Sequence, residues 1–114
     1  MAQPRFLDDQ AFKSLRIGDR EAFNRLIAGR RGEVDFSDTD LRGVDLRGLD
    51  LSHIIIRGAY LRDADVRGLD LRHLDMEGCS MYHAKISGAY FPANLRTEEI
   101  VASVQYGTRM RAAK

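Results

Sequence analysis

His53 and His73 stand twenty residues apart, and Cys79 is the single cysteine of the 114-residue chain. Two imidazoles brought together could share a metal ion or sense pH, since histidine is the side chain that titrates nearest neutrality. A lone thiol forms no internal disulfide and no CxxC redox or zinc motif. Arg42, Arg47, Arg57, Arg62, Arg67 and Arg72 recur at steps of five or ten. Such a row could grip phosphate or nucleic acid through salt-dependent contacts. Asp residues alternate with most of these arginines, although none lies between Arg57 and Arg62. No nucleophile stands beside a base, no metal triad is spelled out, and no glycine-rich phosphate loop or aromatic stacking platform is present. An enzyme is therefore not expected, and neither a cofactor nor a metal is called for.

The element that must carry these residues has a period of five. Leu46, Leu51, Ile56, Leu61, Val66, Leu71 and Met76 fall on every fifth position. A helix turns about 500° in five residues, which scatters them around its surface. A straight strand sends every odd step to the opposite face. The chain must turn a corner in each quintet. In Val44-Asp45-Leu46-Arg47-Gly48, Val44 and Leu46 share one face while Asp45 and Arg47 share the other, and Gly48 supplies a permissive corner. Repetition gives stacked coils with two inward side chains per side.

Ala64-Asp65-Val66-Arg67-Gly68 and Val44-Asp45-Leu46-Arg47-Gly48 follow the beat A(D/N)LXX, and the chain thereby resembles the pentapeptide-repeat family. The resemblance covers residues 34–93 as twelve unbroken quintets. It implies an all-β solenoid: a right-handed quadrilateral β-helix with four quintets per coil, hence about three coils. The central column runs from Phe36 to Phe91 and is apolar throughout, with the two phenylalanines suited to plug the ends. The second inward column runs from Val34 to Ala89, and Thr39 is its only polar member. Cys79 belongs to this column and reads as a core residue, since a reactive thiol needs exposure and cationic neighbours. Four quintets per coil also imply that residues twenty apart stack. His53 then lies below His73, but Ala93 follows them, so no third ligand completes a metal site. Arg42 lies below Arg62 and Arg47 below Arg67, with Asp45 and Asp65 beside them. The favoured reading is a solvated charge lattice, because stacked like charges need a neighbouring opposite row.

Short helical flanks are expected at both ends, covering coil edges that would otherwise invite edge-to-edge growth. Asp9 is placed to cap a helix ending at Gly18, and Asp19 another ending at Gly29. Phe12, Leu15, Phe23, Leu26 and Ile27 give these helices apolar faces. Thr97 is expected to cap a third helix, ended by Gly107, whose Ile100, Val101 and Val104 form either a cap or a dimer face. Thr108 to Lys114 read as a frayed tail. The chain divides into 1–33, an N-terminal helical cap; 34–93, the repeat; and 94–114, a C-terminal helix and tail.

Formal net charge is +1, so bulk charge points neither to a nucleic-acid binder nor to an acidic protein. The longest apolar run, Ile54-Ile55-Ile56, is far too short to span a bilayer, and the amino terminus lacks a signal-peptide core. A soluble cytoplasmic protein is the expectation. Asp precedes the central residue in seven of twelve quintets, whereas Ile55, Tyr60 and Tyr90 break that rule and Tyr82 replaces the common outward Arg or Ser. Ile55, Tyr60 and Tyr82 make an apolar and aromatic patch on a charged wall, fit for a protein partner or for docking of a flanking helix. The expected function is a non-enzymatic interaction or assembly module that binds another protein, with a homodimer through the C-terminal helix or a coil end as a further expectation. The alternative comes from the resemblance. Some relatives are similar to a DNA duplex in shape and charge and modulate type II topoisomerases such as gyrase. Three coils and balanced Arg and Asp rows depart from that device.

Overall fold

The computed structural model describes residues 3–113. Two helices, α1 (Gln10–Ile17) and α2 (Arg20–Ala28), precede the repeat, and α3 (Thr97–Tyr106) follows it. Between them the chain runs as short extended segments joined by corners. Only β1 (Val34–Asp35) and β2 (Ile54–Ile55) are long enough to count as strands, and they pair in parallel.

The coil length follows from the backbone pairing. Val34 pairs with Ile54, Asp40 with Tyr60, Asp45 with Asp65, Tyr60 with Ser80, Asp65 with Lys85 and Asp70 with Tyr90. Every one of these parallel pairs is twenty residues apart, so one circuit takes four quintets. Each circuit supplies the hydrogen bonds of the next: Leu41 N–H donates to the Tyr60 carbonyl (2.8 Å), and Leu61 N–H to the Ser80 carbonyl (2.8 Å).

The corners follow from the same rhythm. The carbonyl of a central residue accepts the N–H three residues on, as from Ile56 to Ala59 (2.9 Å) and Leu61 to Ala64 (3.0 Å). Such a turn often needs a left-handed residue at its third position. Glycine fills it at Gly58 (φ +73°), where the corner N–H also donates to the Glu77 carbonyl at 2.9 Å. Asp38, Asp63 and His83 take the same conformation at other corners, with φ near +60°. His53 and His73 do not, so that one corner turns by another geometry.

The core lies inside the coils. From Phe36 to Met81 every central residue is buried, and so are Val34, Val44, Ile54, Ala59, Ala64, Leu74, Cys79 and Ala84 of the second column. Thr39, its polar member, is fully buried and donates its hydroxyl to the Phe36 carbonyl at 2.6 Å. Leu49, Leu69 and Ala89 stack at one corner and remain half-buried. Phe36 plugs the first coil: its ring meets Phe12 edge-on at 5.5 Å and Phe23 at 6.4 Å. Phe91 does not mirror it. It stays half-buried together with Ile86, because the C-terminal elements cover the other sides of the last coil.

The flanks satisfy the exposed coil edges. Asp9 and Asp19 cap α1 and α2 by accepting the Phe12 and Ala22 N–H groups. Arg16 of α1 donates to the Arg42 carbonyl, Arg20 of α2 to the Arg47 carbonyl, and Asn24 of α2 to the Gly48 carbonyl. Arg5 pairs in parallel with Thr39 beneath the first coil. These contacts close the lower edge on three sides and blunt its capacity to template further strands.

Two expectations about the C-terminal flank are corrected. Thr97 is not the cap of α3. Arg96 occupies that place and makes no side-chain capping bond, so Thr97 begins the helix itself. The tail is not frayed either. Arg109 pairs antiparallel with Ser80, and Ala112 with Leu95. Met110 exchanges both backbone hydrogen bonds with the Gly78–Cys79 edge (2.7 and 2.9 Å) and is fully buried. Open N–H and C=O groups on the last coil organise a segment that has no periodicity of its own. Lys114 lies outside the described residues.

Candidate interaction surface

On the coil wall, residues i and i+2 of an extended segment share a face. This places each Asp against the Arg two residues on. The Asp45 carboxylate accepts the Arg47 backbone N–H and its Nε, both at 3.0 Å. Asp65 holds Arg67, Asp70 holds Arg72, and Asp40 holds Arg42 in the same way. The guanidinium hydrogen bond from Arg67, with the Arg67 backbone N–H and the charge of Arg47, brings the Asp65 carboxyl down to about 2. The Arg72 guanidinium holds the Asp70 carboxyl well below the usual carboxylate range. Arg57 pairs instead with Asp75 of the next coil at 3.1 Å. The arginine row is thus a lattice neutralised mainly quintet by quintet.

The titratable candidates are placed individually. His53 and His73 are both exposed, and His73 Nε2 lies 3.2 Å from the Leu51 carbonyl. His83 stacks on its neighbour Tyr82 with ring centroids 3.8 Å apart. Among the described residues no group of three or more His, Cys, Asp or Glu is placed to hold a metal. Cys79 is fully buried, its thiol donates to the Ile56 carbonyl at 3.1 Å, and burial pushes its pKa up to about 12. At neutral pH it is a core thiol rather than a nucleophile.

The aromatic departures from the repeat form one surface. Tyr60 and Tyr82 line a hollow of about 300 Å³ together with Arg42, Arg62, Ser80 and Gly107. Arg62 lies over the Tyr82 ring at 5.1 Å. Arg109 lies over the Tyr60 ring at 4.8 Å and donates to its hydroxyl at 2.6 Å. Ile55 is half-buried on the adjoining side and lines neither this hollow nor the larger one beside it. Tyr90, exposed on another side, carries Arg72 at 5.1 Å.

The repeat rhythm in residues 34–93 and the twenty-residue pairing converge with a comparison of families. The pattern of pentapeptide repeats matches residues 32–58 and 59–92, in eight copies. The chain belongs to the pentapeptide-repeat family. Such repeats in general fold as right-handed quadrilateral β-helices, and the family's members are generally structural or interaction proteins. No curated protein and no solved structure matches the chain in the corresponding searches. No helix among the described residues is long and apolar enough to cross a membrane.

Within this pentapeptide-repeat wall, Tyr60 and Tyr82 are brought together and Ile55 is set apart from them. Gly107, just after α3, lies against Tyr82, and Arg109 of the tail lies against Tyr60. Both tyrosines remain half-buried, like Ile55. On α3, Ile100 and Val104 pack against the protein's own core, while Val101 stays 44% exposed. Arg109, Met110 and Ser103 complete this region and were not legible as site residues. Their only sequence signal is an arginine and a methionine after a helix-ending glycine.

Proposed function

We propose that the repeat forms a right-handed quadrilateral β-helix of about three coils, between a helical cap at 1–33 and a helix and tail at 94–114. We propose further that it works as a non-enzymatic, cytoplasmic module presenting a rigid wall to another protein. The observation that carries the reading is the Tyr60–Tyr82 hollow. It is aromatic, half-buried and fixed to a backbone ladder, on a wall that elsewhere carries the Asp45–Arg47, Asp65–Arg67 and Asp70–Arg72 pairs. Tyrosine in such a setting offers apolar area and a polar tip at low entropic cost.

The gyrase-modulator alternative requires an unpaired acidic face that imitates DNA. Asp40, Asp45, Asp65 and Asp70 each hold an arginine, which favours the interaction reading over it. A homodimer through α3 is a second reading, favoured by Val101 and by Tyr106, which is 75% exposed. Sedimentation of wild type against Val101→Asp tests that reading, which fails if both sediment as monomers.

The main test is crosslinked capture of partners from native extract by wild type, Tyr82→Ala, Ile55→Asp and Tyr90→Ala, after circular dichroism shows that each is folded. A partner kept by wild type and Tyr90→Ala but lost with Tyr82→Ala supports the hollow as the site. Loss with Ile55→Asp as well extends the site around the corner. Equal retention by all four overturns the reading.

A further inference from the structure

The Tyr60–Tyr82 hollow does not stand alone. A second hollow of about 740 Å³ shares Tyr60, Ser80 and Gly107 with it and adds Arg5, Asp38 and Arg109. The two make one groove that crosses the coils, with Arg42 and Arg62 at one end and Arg5 and Arg109 at the other. Asp38 is the only acidic residue lining either part.

The guanidiniums differ in how far they are neutralised. Arg42 is fully engaged by the buried carboxylate of Asp40. Arg62 meets a carboxylate only at 3.6 Å, on the exposed Asp63. Arg109 donates to the Gly78 carbonyl and the Tyr60 hydroxyl, and Arg5 to the Ser37 carbonyl. Among the described residues, neither Arg5 nor Arg109 has a carboxylate within ion-pair distance. Elsewhere on the wall Arg47, Arg57, Arg67 and Arg72 all have one. The groove therefore gathers two guanidiniums without an ion-pair carboxylate, Arg5 and Arg109, and a third, Arg62, that is only loosely paired.

The rings decide what kind of anion fits. Base stacking on a single strand needs open aromatic faces. Here Arg62 and His83 already lie against Tyr82, and Arg109 lies over Tyr60. A guanidinium resting on a ring keeps its N–H groups in its own plane, where they match a carboxylate. Resting on the interaction function proposed above, we infer that the groove binds an extended acidic segment of the partner protein, with a carboxylate of that segment on Arg62 and another toward Arg109. Tyr60, Ser80 and Gly107 form the floor between them.

The experiment uses the full chain and a fluorescent twelve-residue peptide of alternating Glu and Gly, followed by anisotropy at low and moderate salt. A single-stranded oligonucleotide of equal charge is run beside it. Variants are Arg62→Gln, Tyr82→Leu and, as the control for bulk charge, Arg72→Gln. The expected result is peptide binding that weakens with salt and falls about fivefold in Arg62→Gln, the scale of one exposed ion pair, while Arg72→Gln stays at the wild-type value. Absence of peptide binding, equal loss in Arg62→Gln and Arg72→Gln, or tighter binding of the oligonucleotide each overturns the inference. The interaction function fails separately. A partner captured through Tyr82 but indifferent to Arg62→Gln and to salt leaves that function standing and removes only the acidic segment.

Discussion

The hydroxyl of Ser103 in α3 accepts the backbone N–H of Met81 at 2.9 Å, and both residues are fully buried. It is one of two direct α3 contacts with the backbone edge of the last coil. The other is His83 N–H to the Val104 carbonyl at 3.0 Å. Ser103→Ala leaves the Met81 N–H buried without a partner, which costs about 1–3 kcal/mol. Urea unfolding of the two proteins measures it. Equal midpoints would show that the Ser103–Met81 bond contributes nothing to holding α3.

Met110 is the only fully buried side chain of the described tail, and it follows Arg109 into the Gly78–Cys79 edge. Met110→Ala is expected to lose about 2–5 kcal/mol, the range for emptying a buried methionine site. Amide exchange in the same variant should speed at Gly78 and at residue 110, whose N–H groups are bonded across that edge. Unchanged exchange there would return the tail to the frayed state.

Two corner glycines with the same conformation separate backbone strain from crowding. Gly43 and Gly58 have φ of +74° and +73°. A Cβ at Gly43 would meet nothing within 4 Å, whereas at Gly58 it would collide with Asp38 Oδ1. Gly43→Ala should cost about 1–2 kcal/mol from the left-handed conformation alone. Gly58→Ala must in addition displace Asp38, and should lower the melting temperature further. Equal melting temperatures would show that Asp38 swings aside freely.

Acid should loosen the wall before it loosens the core. The Asp65 carboxyl is lowered from 3.8 to about 2, first by its hydrogen bond from Arg67. With the folded value depressed, the native state binds fewer protons than the unfolded chain, so this stabilisation is present above pH 3.8 and is lost as pH falls toward about 2. Thermal melts at pH 5, 3 and 2 should show a falling transition temperature, with a shallower fall in Asp65→Asn. Parallel curves would assign acid sensitivity to other carboxylates.

The five-residue rhythm by itself pointed to a chain that turns a corner in each quintet, because neither a helix nor a straight strand puts Leu46, Leu51 and Ile56 in one environment. It also determined the inward columns, since burial follows from alternation within a quintet. Asp9 with Gly18 and Asp19 with Gly29 bounded the first two helices, because capping acts within one turn of chain. The Arg and Asp rows were legible as a lattice for the same reason: partners two residues apart meet wherever the segment is extended. Tertiary structure alone decided the rest. Thr97 lies inside α3 rather than before it, with Arg96 at the cap position. The order of Thr108 to Ala113 comes from edge groups thirty residues earlier, at Gly78 and Cys79, whose demand for partners carries no side-chain signature. The nearness of Tyr60 and Tyr82 was expected from twenty-residue stacking, but Arg109 joins them only because the tail returns there, which no local stretch of sequence encodes.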